Sequence, residues 1–436
     1  MSQTMTAFQT YLKQIQRSFH KVTKLEFLNP DNSVAFSMDG TYKRGYGGYH
    51  DSRAFVSGGT LNVSLQNGQR RNASITLSNL DGAFDYNVNN LWFGRRVRLL
   101  MGCVLPDGTE YYIPQGVFYI DSPNGSISHN SNTITYSLLD KWSYLDGTLF
   151  GNLPVTFTIN QTTGGVTNNI YDMIVKCLHS SIYDFGETNN PIEYIDNVPP
   201  IFTKWYVGET YTDAGGNTHN ILDMPYDVSS TSTMADVILE LNTMLAGLIG
   251  YDATGALRID PSEEDLNDLE KPLLWSFTSN NSFLSSISET SKNREVFNDV
   301  VIAGESLDDN EIWGRATNID PASDTNINII GYRTIREERA EYWNADQCVA
   351  LAKYLLKRKT ILRKSITIQS QQMFHLRENE LISVQRTDKP GSPVEYHVIQ
   401  SFSLPIGDHG TMSINATSIA DDINGIKTSS SQSVGG

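Results

Sequence analysis

Two stretches of this chain, one near each end, follow the same strand plan. The first runs Ser74-Ile75-Thr76-Leu77-Ser78, Arg96-Val97-Arg98-Leu99, a turn at Pro106-Asp107-Gly108, Val117-Phe118-Tyr119-Ile120-Asp121-Ser122 and Thr133-Ile134-Thr135-Tyr136. The second runs Ser365-Ile366-Thr367-Ile368, Leu381-Ile382-Ser383-Val384, a turn at Lys389-Pro390-Gly391, Tyr396-His397-Val398-Ile399-Gln400-Ser401 and Thr411-Met412-Ser413-Ile414. Apolar residues at every second position read as strands with one buried face, and the Pro/Gly turn falls in the same slot of both. A chain built on two such units is mainly β. Matching copies within one polypeptide suit rings and tubes, which need quasi-equivalent parts.

At 436 residues the chain outgrows a single core, so two to four domains are expected. Hydrophobic residues at 39% against charged residues at 19% place its bulk with globular rather than disordered chains. No apolar run approaches the roughly 20 residues of a membrane span, and Met1 to Gln9 lacks the basic start and apolar region of a signal peptide. The expectation is a protein made in the cytoplasm that does not insert in a membrane. Cys103, Cys177 and Cys348 show no CxxC spacing, which argues for buried free thiols rather than a disulfide framework or a zinc site. The formal net charge of -16 disfavours a phosphate-gripping surface, because such affinity comes mainly from Lys and Arg. It does allow a channel lined by carboxylates through which a polyanion passes without sticking.

Along the chain, Phe8, Leu12, Ile15 and Phe19 predict an amphipathic N-terminal helix within residues 1–20. A first barrel is expected over 21–147, opening with a hairpin around Pro30-Asp31-Asn32. Residues 148–273 read as a small α+β insert. Thr167 can cap one helix there, Thr233 and Asp236 form a capping box for a helix over 234–245, and a hairpin follows around Asp252-Ala253-Thr254-Gly255. Residues 180–228 read as an irregular excursion. A second barrel is expected from 274–335 and 361–420, with a connecting helix in 336–360 capped by Asn344, and a disordered Ser/Gly-rich tail over 421–436.

Signatures of chemistry are sparse. His20, His50, His129, His179, His219, His375, His397 and His409 give no HExxH, HxH or helical i,i+4 pair. There is no GxSxG, and no GxGxxG or GKS/T phosphate loop. Glu263-Glu264 and Asp308-Asp309 are adjacent in sequence and do not face one another across a substrate as glycosidase carboxylates must. The oxygen-rich cluster Asn79 to Tyr86 lacks the spacing and terminal Glu of a calcium loop and reads as an Asx-fastened turn. No catalytic, cofactor-binding or metal-binding residue is therefore assigned, and no cofactor is expected.

Ser74 to Phe84, with Gly94-Arg95-Arg96-Val97-Arg98 and Gly116 to Ser122, resembles the N-terminal part of phage tail hub proteins. In that family a strand, a turn carrying Asn-x-Asp-Gly-x-Phe and a strand opening with Gly-Arg-Arg-Val follow one another. The C-terminal half is similar to the same family in the helix Asn344 to Arg358, the strand Ser365 to Ile368 and the segment Glu380-Leu381-Ile382-Ser383-Val384. Arg377-Glu378-Asn379 stands where family members usually have Pro-Gly-Asp.

The resemblance implies two tail-tube-like β-barrels plus the small helix-hairpin insert, and a non-enzymatic hub of a phage or phage-like baseplate or tail tip. It further implies a homotrimer that mimics a hexagon, between the hexameric tail tube and a threefold spike or tip, to which the net charge adds the expectation of an acidic lumen. Partners would be tail tube, spike or tip, distal tail or baseplate wedge and tape measure proteins, with DNA passing unbound. The chain would reside in the virion after assembly in the host cytoplasm. Two other readings are a receptor- or carbohydrate-binding tail component, prompted by Tyr194, Trp205, Tyr206 and Tyr211, and a tail-associated peptidoglycan hydrolase, which the chain leaves no room for after its second β unit.

Overall fold

The computed structural model describes residues 10–11, 20–29, 32–39, 56–79, 95–128, 131–152, 157–159, 162–163, 166–167, 174, 210–212, 218–220, 226–228, 232–244, 247–261, 272–278, 284–291, 296–304, 311–339, 345–360, 364–386, 391–407, 410–419 and 423–431. The N-terminal module comprises β1 (Lys21–Leu28), β2 (Val34–Asp39), β3 (Val56–Ser64), β4 (Arg71–Ser78), β5 (Arg96–Val104), β6 (Glu110–Ser128) and β7 (Ser131–Asp140). Short strands β8 (Phe157–Ile159), β9 (Thr162–Thr163), β10 (Val166–Thr167), β11 (Thr210–Thr212), β12 (Thr218–Asn220) and β13 (Tyr226–Val228) follow. Next come helix α1 (Met234–Met244) and the hairpin β14 (Gly247–Tyr251) and β15 (Leu257–Pro261). The C-terminal region holds β16 (Trp275–Thr278), β17 (Leu284–Ser291), β18 (Asp299–Gly304), β19 (Trp313–Asn318), a short helix α2 (Ile327–Ile330) and β20 (Thr334–Arg339). It ends with α3 (Ala345–Lys359), β21 (Lys364–Ser370), β22 (Leu381–Gln385), β23 (Val394–Ile406), β24 (Met412–Ser418) and β25 (Ile426–Ser430).

The fold is mainly β with an α+β insert, and the repeated strand plan is a repeated topology. In the first module the hydrogen-bonded order is β3-β4-β7-β6-β5, and in the second it is β17-β21-β24-β23-β22. Irregularities repeat as well. Between β6 and β7 the register steps from Ile120↔Leu138 to Ser122↔Ser137, leaving Asp121 as the extra residue. Between β23 and β24 it steps from Ile399↔Ala416 to Ser401↔Asn415, leaving Gln400 extra. The Ile-x-Ser motif thus marks one β-bulge used twice. A second shared bulge leaves Ser57 extra in β3 and Ser285 extra in β17. The modules differ at their margins, where β5 pairs antiparallel with β1 and β22 pairs parallel with β16.

One strand match is corrected by the ladders. Ser74-Ile75-Thr76-Leu77 aligns in sequence with Ser365-Ile366-Thr367-Ile368, but the shared neighbours place Ala73 and Ser74 opposite Leu138 and Ser137, as Ile366 and Thr367 lie opposite Ala416 and Asn415. The structural match is therefore slipped by two residues. A slip of two preserves which side chains face inward, so alternation alone is blind to it.

Both modules share one apolar core that includes Leu61, Ile75, Leu99, Phe118 and Leu138 from the first and Phe277, Ile368, Ile382, Phe402 and Ile414 from the second. A second core packs α1, β14, β15, β18, β19 and α3 together with Trp142 and Leu145. Here α3 buries Cys348, Leu351, Ala352, Leu355 and Leu356, with Val349 partly exposed. Helix α3 lies so close to β19 that a Cβ at Gly314 would collide with the backbone of Cys348 and Val349. The capping box forms as its residues require: Thr233 N donates to Asp236 Oδ2 at 2.8 Å, and Asp236 N to Thr233 Oγ1 at 3.2 Å.

Two expectations about the C-terminal half are revised. Of residues 274–335, β16 and β17 join the second module, whereas β18, β19 and the start of β20 belong to a separate four-stranded sheet, β20-β18-β19-β25. Strand alternation says that a segment pairs, not with what. The presumed disordered tail over 421–436 supplies part of that sheet, because Ile426-Lys427-Thr428-Ser429-Ser430 pairs antiparallel with Asn318 to Gly314. Its β-branched Ile and Thr suit a strand despite the Ser-rich composition. Of the predicted N-terminal helix, Thr10 and Tyr11 are described and helical, with Tyr11 packed against the first core. Thr167, the predicted cap of a helix, lies instead in β10, paired antiparallel with Thr162, and the predicted cap Asn344 lies outside the described residues.

Candidate functional site

The sequence singles out few chemical candidates, and the structure does not gather them. Glu263, Glu264, Asp308, Asp309, Tyr194, Trp205, Tyr206 and all of Asn79 to Tyr86 except Asn79 lie outside the described residues. Tyr211 sits in the small hairpin of β11 and β12. His375 and His397 are buried, Cys103 and Cys348 are buried and in no disulfide, and no cluster of three or more His, Cys, Asp or Glu suited to a metal occurs among the described residues.

What the topology does assemble is a surface. Two four-stranded copies, β6-β7-β4-β3 and β23-β24-β21-β17, lie edge to edge as eight consecutive strands of one 13-stranded sheet. The seam joins β3 to β23 in antiparallel register from Ser401↔Ser64 to Ile406↔Gly59. Inward positions fill the core. Outward positions, matched strand to strand by the ladders, are Ser122, Asn124 and Ser126 on β6, Thr133, Thr135 and Ser137 on β7, and Asn72, Ser74 and Thr76 on β4. They continue with Thr60, Asn62 and Ser64 on β3, Ser401 and Ser403 on β23, and Ser413, Asn415 and Thr417 on β24. Ser365, Thr367 and Gln369 on β21 and Ser286, Ser288 and Thr290 on β17 lie on the same face, which also carries Leu139 opposite Asn72 and Pro405 opposite Thr60 as isolated apolar positions.

No outward position on these paired spans carries a charge. Side chains bond across strands instead: Thr367 Oγ1 to Asn415 Oδ1 at 2.8 Å, Asn415 Nδ2 to Ser401 Oγ at 3.0 Å, Ser403 Oγ to Asn62 Oδ1 at 2.9 Å and Asn62 Nδ2 to Asn72 Oδ1 at 3.1 Å. Such cross-strand pairs hold register. A shallow depression of about 320 Å³ lies over the seam, lined by Asn62, Gln66, Asn72, Ser403 and Asn415 among others.

A buried ionic lock backs the seam. Arg71 occupies an inward position of β4, 0% exposed, and its guanidinium pairs with Glu378 from the segment before β22 and donates to Gln115 O at 3.0 Å. Arg377 donates to Pro114 O at 3.0 Å and Phe374 O at 3.2 Å. Asp140 closes β7 by accepting from the backbone N–H of Arg70 and Arg71 at 2.9 Å each and from Trp142 N at 3.0 Å. Arg377-Glu378-Asn379 thus fastens the segment before β22 to the first module and to β23. Asn379 takes the left-handed conformation (φ 61°) that Asn tolerates, and its N–H donates to Ile399 O at 2.9 Å.

Burial opposes ionisation of Glu378, but the Arg71 and Arg70 guanidiniums override it and hold its pKa at about 2. Burial wins at the other two carboxyls, pushing Asp140 and Glu380 up to about 7 against the pull of backbone N–H groups and of Arg71 and Arg377, respectively. The signs differ. Asp140 and Glu380 keep protons in the folded chain up to pH about 7 that the unfolded chain releases at 3.8 and 4.5, so stability falls as pH rises through that window. The depressed Glu378 contributes stability above about pH 4.5 that is lost as pH falls towards 2. Urea midpoints of the wild type should therefore drop between pH 5 and about 7.5, and Glu380→Gln should flatten that drop. An unchanged slope in the variant would remove Glu380 from the account.

No family model matches the chain, and no curated protein matches its sequence. Solved structures do match. A tail protein from Neisseria meningitidis MC58 aligns over 92% of this chain and 97% of its own at 9% identity, with a TM-score of 0.53. A 43 kDa tail protein of prophage MuSo2 from Shewanella oneidensis aligns over 92% and 98% at 13% identity, TM-score 0.49. A prophage tail protein from Listeria monocytogenes EGD-e aligns over 93% and 95% at 8% identity, TM-score 0.47. The first of these establishes the overall architecture independently of sequence. With its two matching β modules and its helix-bearing insert, the chain has the tail-protein fold.

Proposed function

We propose that this chain is a structural, non-enzymatic hub component of a phage or phage-like tail. Three copies form a ring of six like modules whose uncharged sheet faces line a channel. The ring joins a hexameric tube on one side to a threefold spike or tip on the other, with baseplate or distal tail proteins around it. The observation that carries this reading is the seam. Two copies of one four-strand unit already lie side by side in the chain with matching bulges and a shared polar face.

A wall of hydroxyls and amides suits the passage of DNA and of a tape measure protein. It offers no Lys or Arg to neutralise phosphates and hold them, and no apolar patch to trap an extended polypeptide. In this reading the wall is neutral, where net charge alone led to the expectation of an acidic lumen. The charge of -16 then resides elsewhere on the chain.

The test is the mass of the purified protein and of the tail particle that contains it. A three-chain species is expected. A chain that stays monomeric across micromolar concentrations and is absent from tail particles would overturn the reading.

A further inference from the structure

We propose that a second copy of this chain docks along the open edge of β6 through its own β17, repeating between chains, in the same register, the joint that β23 and β3 make within one chain. This rests on the ring reading above, which it deepens by naming the two edges and their alignment.

The partners are fixed by the duplication. β6 is the counterpart of β23, and β17 is the counterpart of β3. In β23, residues Val394–Val398 pair with β22 and Ser401–Ile406 pair with β3 on the same side. In β6, residues Glu110–Tyr119 pair with β5, while on that side the stretch from Ile120 to Ser128 has no strand beside it among the described residues. β17 pairs with β21 on one side and is likewise open on the other. Within the chain, the counterparts of these two open edges are paired to each other. A contact between unlike edges of identical chains is head-to-tail, and it closes into a ring when the rotation permits.

Side chains at the open edge carry the signature of the filled one. The bulges at Asp121 and Gln400 set Ile127 in the position of Ile406. Ile406 is 3% exposed at the seam, whereas Ile127 is 81% exposed. Transferring the seam's register through the shared bulges sets Ile127 opposite Ile287, itself packed against the first core, and Asn124 opposite Thr290, where Ser403 and Asn62 share a hydrogen bond. It also sets Gly125 opposite Glu289. A Cβ at Gly125 would meet nothing within 4 Å, so there is room for a carboxylate that pairs with Arg386 at 3.6 Å. A charge on an edge strand normally deters pairing. Here it meets the one residue that leaves space for it, and both bulges flank the existing seam without preventing it.

The test is disulfide trapping in the full-length protein and in tail particles. With Asn124→Cys and Thr290→Cys in the same chain, mild oxidation should give covalent dimers and trimers. The two-residue slip pair Asn124→Cys with Ser288→Cys should give at least tenfold less. Ile127→Asp should raise the concentration needed for association at least tenfold while leaving circular dichroism and thermal melting unchanged. A three-chain particle that fails to cross-link at 124 and 290 and ignores Ile127→Asp would overturn this joint and leave the ring standing. A protein that is monomeric with wild-type edges would overturn both.

Discussion

Replacing Arg71 with alanine is expected to cost the chain about 3–5 kcal/mol, because it strands Glu378 as a buried, unpaired carboxylate. Arg71 is fully enclosed and Glu378 is 4% exposed, so water cannot substitute for the lost guanidinium. Against a typical total stability of about 5–15 kcal/mol this is a large share. The two residues are far apart in the chain and belong to different modules, so the loss should appear as a weakened union of the modules, read as a lower denaturant midpoint. Replacing the pair together, Arg71→Met with Glu378→Leu, should recover most of the loss, since apolar residues of similar volume often match a buried ion pair. A single variant within about 1 kcal/mol of wild type, the level of an exposed pair, would show that the lock does not hold the modules.

Placing charge on the sheet face should have the largest functional effect. Asn62→Lys with Asn415→Lys introduces two cations per chain at exposed, outward ladder positions and leaves the core untouched. The wild-type oligomer should retain no duplex DNA. The variant should bind it, with affinity falling by roughly three orders of magnitude between 50 and 200 mM salt if all six lysines of a three-chain ring engage. Particles carrying the variant should also release their contents more slowly. Equal DNA retention by both proteins, read by filter binding across that salt range, would detach the polar face from any passage role.

Much of the architecture was legible because it rests on local pattern. Three of the four strand matches read from sequence, those of β5 with β22, β6 with β23 and β7 with β24, coincide with the ladder register, and the Ile-x-Ser motif turned out to mark the shared bulge. The capping box at Thr233 and Asp236 and the turn at Asp252 to Gly255, where Gly255 takes φ 85° and Asp252 Oδ1 accepts from Thr254 N at 2.7 Å, are equally local. What sequence left open is pairing at a distance. The β4 match slipped by two because alternation repeats every two residues, β18 and β19 share their pattern with strands of another sheet, and β25 hides in a Ser-rich stretch. Arg71 escaped notice as a core residue because arginine is ordinarily exposed. Its partner lies on a segment that no periodicity connects to it. The uncharged face was visible only once the ladders showed which outward residues align.

An image of the isolated oligomer at a resolution that separates strands tests the central claim most directly. The account predicts six alike four-strand units around one channel, two from each chain, with every junction matching the β3–β23 seam and the Ser, Thr, Asn and Gln face turned inward. Units that do not superpose, or a channel lined by a different face of the sheet, would contradict it.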